Sequence, residues 1–154
     1  MAHQQGMELR IIGTGALEEE LRQQAAGDKS IVFLGIMPRE KVLEELKRAR
    51  FLAFPSIWYE GMPLTLVEAQ ALGRPAVASD LGGRSEIVQH ETHGFLYNPT
   101  QKTALREALE RMILLPDTKW REMSSACRHH YKDHYTPERN YHQLLEIYRR
   151  EAHS

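Results

Sequence analysis

Short apolar runs of strand length alternate along this chain with stretches of helical spacing, and this alternation restricts the fold more than any other feature. Leu9-Arg10-Ile11-Ile12 reads as a strand and Gly13-Thr14-Gly15 as its turn. Leu17 to Gln24, rich in Glu, Arg and Gln, reads as a helix. Ile31 to Leu34 is a second strand, ended by Gly35. Glu40 to Ala49 is a second helix, with Val42, Leu43 and Leu46 at helical spacing. Phe51 to Phe54 gives a third strand, stopped by Pro55. Leu64 to Leu72 gives a third helix, with Gly73 where a C-terminal glycine belongs. Pro75 to Ala78 and Gly94 to Tyr97 add two more strands. Strands separated by helices of this length predict a parallel sheet with right-handed crossovers. Their nearly all-apolar character predicts helices on both faces. Beyond Tyr97, Thr103 to Leu115, Lys119 to Tyr131 and Glu138 to Glu151 read as helices. The last has Thr136 as its cap and Pro137 at its first position. The expected fold is α/β, a Rossmann-like, three-layer, doubly wound parallel sheet with a helical C-terminal end.

At 154 residues the chain suits one domain of ordinary size, and no repeat or linker divides residues 7–154. Residues 1–6 (MAHQQG) are polar, precede a second methionine, and are set aside as a tail. The formal net charge of -1 gives no global basic field, so nucleic acid is not an expected partner. A weakly basic run at Arg128, His129, His130 and Lys132 reads as solvated helix surface. Cys127 is the single cysteine, which excludes an internal disulfide, fits a cytoplasmic protein, and reads as inert packing. No apolar run approaches the ~18 residues of a membrane span, and no secretory segment opens the chain. Any membrane association is expected only at the periphery, through a partner or a further domain.

Open parallel sheets take ligands at the carboxyl ends of their strands. The turn after Ile12 holds Gly13 and Gly15, but position 18, where a dinucleotide fingerprint needs glycine, is Glu18. No Gly-Lys-Ser/Thr phosphate loop occurs either, so neither NAD nor ATP binding of the usual kinds is supported. The loop after Phe54 is richer. Pro63 suits the first position of the following helix, where it needs no amide partner. The free amides around Gly61, Met62 and Leu64 would then face the strand ends, an arrangement that favours phosphate. Leu64, Val67, Ala71 and Leu72 define the expected apolar stripe of this helix, and Glu68 falls on the same stripe. A carboxylate there must find donors, because burying it unpaired is costly. A structural ion pair, a capping contact or ribose hydroxyls would each satisfy it. Glu60, just before the helix, is expected at the exposed mouth of the pocket, where a lone Glu is most often an ordinary loop carboxylate.

Glu60 and Glu68, in the run E-G-M-P-L-T-L-V-E-A, resemble the E-x7-E motif of the family 4 (group 1) retaining glycosyltransferases. The surrounding segments resemble that family in order. They are Ile11 to Gly15, Val32 to Gly35, Phe54-Pro55-Ser56, Glu68 to Pro75, Ser79 to Gly83, Glu86-Ile87-Val88 and His93 to Leu96. The likeness runs from about Leu9 to Leu115. It implies the C-terminal, donor-binding half of a GT-B fold, and a nucleotide diphosphate sugar as donor substrate. It further implies that Glu68 holds the donor ribose and that Glu60 lies beside the donor sugar as the catalytic carboxylate. The segment Gly61, Met62, Pro63 and Leu64 would contact sugar or phosphate, and Gly13 and Gly15, in the turn that resembles the family's, count among the donor-binding residues. Gly35, Ile36 and Met37 would border the base.

The family's C-terminal domain normally opens with a further strand, a Gly-Arg stretch and a Lys-Gly pair whose charge neutralises the leaving diphosphate. That opening strand is not found here. Lys29, Lys41 and Arg74 are substitutes by charge only, and none is assigned the role. The acceptor-binding half is not found either. The expected function is therefore donor binding for retaining hexosyl transfer, with the chain inactive alone. It would be completed by an N-terminal acceptor domain or a partner chain, or would associate as a homodimer. The alternative is a non-catalytic nucleotide-sugar-binding module or one subunit of a split glycosyltransferase. No cofactor is expected, and no metal, since no Asp-x-Asp or histidine cluster with ligand spacing lies near the site.

Overall fold

The structure is a computed structural model describing residues 6–151. The chain forms two compact units, Met1–Glu45 and Leu46–Ser154. In the first, strands β1 (Leu9–Ile12) and β2 (Ile31–Gly35) pair in parallel, with Leu9 opposite Ile31 and Arg10 opposite Val32. Helix α1 (Glu18–Gln24) links them. It opens with three glutamates, favourable at the positive end of a helix, and Arg22 closes it with an ion pair to Glu18 at 2.8 Å. The Arg22 guanidinium also lies 4.5 Å from the centre of the Phe33 ring. Helix α2 (Arg39–Arg48) follows, and the boundary between the units falls inside it.

The second unit holds a three-stranded parallel sheet in the order β3 (Leu52–Phe54), β4 (Ala76–Ser79), β5 (Gly94–Tyr97). Around it run α3 (Leu64–Ala71), α4 (Arg84–Ile87), α5 (Ala104–Ile113), α6 (Asp117–His134) and α7 (Pro137–Glu151). The central strand β4 is buried along its whole length, and its residues alternate between two cores. Ala76 and Ala78 pack with Leu66, Val67, Ile87 and Val88 of the α3–α4 side. Val77 packs with Phe95, Ala108, Met112 and Met123 of the α5–α6 side. Apolar residues on both faces of a strand require cover on both faces, which gives the helix–sheet–helix layering expected of an α/β fold. The five strands divide between two sheets, where the sequence had suggested one.

Local signals account for most element ends. Gly73, at φ 64°, lets its amide reach the Gln70 carbonyl at 2.9 Å and the Arg74 amide reach Ala69 at 2.8 Å, which closes α3 with a Schellman turn. Thr136 caps α7 through its hydroxyl, which accepts from the Arg139 amide at 3.2 Å, and Pro137 is the first helical residue. Pro63 is the residue before α3, extended at ψ 106°, one position earlier than the sequence suggested. The buried face of α3 also differs from expectation. It is Leu66, Val67, Ala69 and Gln70, whereas Leu64 is 64% exposed. With helices on the sheet and α6 both pressing on α3, burial follows a wider arc than one stripe. The run at Arg128–Lys132 is likewise not simple solvated surface. His130 is half-buried, stacks on His93 at 4.3 Å, and its Nδ1 lies 2.9 Å from Gln70 Oε1.

Candidate functional site

In the second unit, the carboxyl end of β3 leads into the loop Pro55–Pro63, which enters α3. The first amides of a helix have no partner one turn back within it. In α3 these are led by Leu64 and Thr65, while Leu66 donates to the Pro63 carbonyl at 3.0 Å and Gly61 and Met62 lie in the loop just before the helix. No side chain caps α3 at Pro63. The loop is unusually apolar for its exposure. Ile57, Trp58, Tyr59 and Met62 are 72, 77, 80 and 56% exposed. Glu60 is half-buried, less open than its loop position suggested. Glu68 sits two turns into α3 and is half-buried, with an interaction of its own.

What fixes this loop is a residue that sequence reasoning passed over. Arg84, in the short helix α4, is fully buried. Its guanidinium donates to the Ser56 carbonyl at 2.9 Å, the Trp58 carbonyl at 2.5 Å and the Ser79 hydroxyl, and lies 5.2 Å from the Phe54 ring centre. Ser79, at the end of β4, donates its own hydroxyl to the Ser56 carbonyl at 2.5 Å. Charge-assisted bonds to carbonyls from a buried, planar donor are strong and directional. They pin the backbone on either side of Ile57 to the end of the sheet.

The turn after β4 presses on the next part of the loop. The Gly83 amide donates to the Glu60 carbonyl at 3.1 Å. A Cβ on Gly82 would lie 2.6 Å from the Glu60 carbonyl oxygen, and one on Gly83 would lie 2.0 Å from that of Gly61. Both glycines are thus required by close backbone approach, and Gly82 also has φ 59°. The pair Gly82-Gly83 is legible as a turn signal, but its contact with Glu60 and Gly61 is a tertiary fact.

In the first unit, Gly13 and Gly35 end β1 and β2 with φ of 112° and 67°, and the Gly13 amide donates to the Gly35 carbonyl at 2.8 Å. Gly15 accepts from the Glu18 amide at 3.0 Å, opening α1. Ile36 is 80% exposed and Met37 half-buried. The expected site residues therefore gather in two groups, Gly13, Gly15, Gly35, Ile36 and Met37 in one unit, and Glu60 to Leu64 with Glu68 in the other. Among the described residues no group of three or more His, Cys, Asp or Glu is placed to hold a metal ion. No helix among them is long and apolar enough to cross a membrane.

Parallel strands covered by helices, and a helix opening at a strand's carboxyl end behind a backbone-pinned loop, give the C-terminal, Rossmann-like half of a GT-B fold. Sucrose-phosphate synthase from Thermosynechococcus elongatus superposes with a TM-score of 0.81 at 26% identity, over 96% of this chain and 39% of that one. The chain belongs to the group 1 glycosyltransferases, since the family described as "Glycosyl transferases group 1" matches residues 1–114. It is 38% identical over 112 residues to an exopolysaccharide phosphotransferase of Streptomyces coelicolor, a match covering 70% of this chain and 12% of that protein. It is 33% identical over 122 residues to the UDP-Gal:alpha-D-GlcNAc-diphosphoundecaprenol alpha-1,3-galactosyltransferase of Escherichia coli, covering 77% of this chain and 30% of the relative. The chain thus spans less than a third of the length of either curated relative.

Proposed function

We propose that this chain binds the nucleotide diphosphate sugar donor of a retaining hexosyltransferase and does not transfer sugar by itself. The observation that carries the reading is the loop Glu60–Leu64. Arg84 holds the backbone just before it at Ser56 and Trp58, and the Gly82-Gly83 turn holds Glu60 and Gly61, ahead of the N-terminus of α3. Glu68 takes the ribose hydroxyls, as a carboxylate accepts from two adjacent hydroxyls in one geometry. Glu60 faces the donor sugar and stabilises positive charge as the anomeric carbon loses its leaving group. The amides of Gly61, Met62 and Leu64 meet sugar or phosphate, with the favourable helix N-terminus behind them. By resemblance to the family, Gly35, Ile36 and Met37 lie beside the base, and Gly13 and Gly15 count among the donor-binding residues. Transfer needs an acceptor held against the donor, and positioning of that kind is worth about 7–11 kcal/mol. An N-terminal acceptor domain or a partner chain supplies it.

The test is a calorimetric titration of the purified chain with UDP, GDP and ADP. UDP comes first because the Escherichia coli relative is a UDP-Gal galactosyltransferase. The expected result is weak but saturable binding of one nucleotide in preference to the others. No heat and no chemical-shift change with any of them at millimolar concentration would remove the proposal. The second reading is a non-catalytic nucleotide-sugar-binding module or a split-enzyme subunit. It draws on the phosphotransferase relative, only 12% of which is matched. Both predict the same binding, but the non-catalytic module gives no transfer even after an acceptor half is supplied, whereas the split-enzyme subunit gives transfer only with its partner chain.

A further inference from the structure

At the far end of α3 from the Glu60 loop, an open groove of about 600 Å³ lies between the Gly73-Arg74 turn and one face of α6. The two ends of this eight-residue helix are about 12 Å apart. Arg121, Ser125 and Arg128 line the groove at helical spacing, so α6 presents them on one face, and Lys47, Arg74 and His129 complete its basic lining. No carboxylate lines it.

That composition is out of keeping with the rest of the chain. The whole molecule carries a formal charge of -1, and several basic side chains elsewhere find acids. Arg50 reaches Asp117 at 2.9 Å, Arg111 reaches Glu91 at 2.5 Å and Lys119 reaches Glu122 at 2.7 Å. In the groove, Lys47, Arg74 and Arg121 make no ion pair among the described residues. Arg74 lies 5.5 Å from the Trp120 ring centre, its Nε is buried without an acceptor, and burial lowers its pKa from the ordinary value. The negative pole of α3 accounts for one of the cations, Arg128, which donates to the Ala71 carbonyl at the helix end. It does not account for Lys47 and Arg121, which bond to nothing there. Like charges gathered without acids oppose one another, and a bound anion relieves that opposition.

We infer that this groove is a second ligand site, for a phosphate-bearing anion, separate from the donor loop. Guanidinium groups offer paired donors to phosphate oxygens, and the adjacent Ser125 hydroxyl adds a neutral donor. The open geometry makes binding reversible and salt-sensitive. The phosphate belongs either to a free anion such as diphosphate or to the headgroup of an anionic lipid.

The two tryptophans separate this site from the donor loop, since Trp120 lines the groove and Trp58 stands 77% exposed beside Glu60. In amide-proton NMR, inorganic pyrophosphate should move the Trp120 indole signal saturably, and UDP should move that of Trp58. Both Lys47 and Arg121 are exposed, so Lys47→Ala/Arg121→Ala should leave the fold and the Trp58 response to UDP intact. It should weaken the Trp120 response by about tenfold. Co-sedimentation with phosphatidylglycerol vesicles, against phosphatidylcholine controls, identifies the source. Retention that the double variant abolishes assigns the phosphate to a lipid headgroup, whereas a Trp120 response without retention assigns it to a free anion. An unmoved Trp120 signal at millimolar pyrophosphate with no vesicle retention, or equal binding by the double variant, overturns the inference. Neither result bears on the Trp58 response to UDP.

Discussion

His93 and Cys127 meet in the interior, the thiol Sγ lying 3.4 Å from the His93 carbonyl oxygen. Burial pushes the Cys127 thiol up to about 12, so it stays protonated and unreactive at neutral pH, in line with the packing role its sequence context suggested. Burial, and then the neighbouring His130, push His93 from 6.5 down to about 4, and burial lowers His130 as well. The His93 Nδ1 accepts from the Gln89 amide at 3.3 Å, which leaves the neutral ring protonated on Nε2. A folded pKa below the unfolded one means that the unfolded chain binds more protons between the two values. Stability is therefore full above pH 6.5, falls as pH drops toward 4, and changes no further below that on this account. The expected loss from His93 is about 3 kcal/mol. Urea unfolding across that window should show the slope, and His93→Gln should flatten most of it. An unchanged slope would assign the acid sensitivity to other groups. None of this was legible in the sequence. A histidine on an exposed-looking basic run carries no sign that its ring turns inward onto another.

The elements themselves were largely legible, because apolar runs of strand length and helical spacing are local properties. Helix α4 was missed for the same reason, since four residues are too few to display a period. With it went Arg84, whose role rests on three carbonyl and hydroxyl partners up to 28 positions away. The glutamates were legible only through the order of surrounding motifs. Their spacing alone left Glu68 with three satisfactory environments. Glycine positions make the element scale testable. Gly83→Ala places a Cβ where the Gly61 carbonyl stands, so the loop must move, at a cost of about 1–3 kcal/mol. Gly15 has open space around it, and Gly15→Ala should change stability by less than about 0.5 kcal/mol. Thermal unfolding measures both, and nucleotide affinity should fall for Gly83→Ala. Parity between the two variants would contradict the packing described for the Glu60 loop.

At the scale of the molecule, family membership and fold are shown, and the chain spans less than a third of either curated relative, which is why transfer is proposed to need more than these 154 residues. The chain alone is expected to give no sugar transfer in a radioactive-sugar assay, and to self-associate in light scattering. The second expectation has a visible source. Helix α7 buries no residue and leaves Tyr141, Leu144, Ile147 and Tyr148 between 43 and 67% exposed. Apolar surface of that extent favours association. Robust turnover by a monodisperse monomer would contradict both halves. The most direct test of the central claim compares two variants on two ligands, a nucleoside diphosphate and its nucleotide sugar, by calorimetry. Glu68→Gln should weaken both alike, because both carry the ribose. Glu60→Gln should weaken only the nucleotide sugar. Equal losses on both ligands for both variants, or none, would contradict the assignment of ribose to Glu68 and sugar to Glu60.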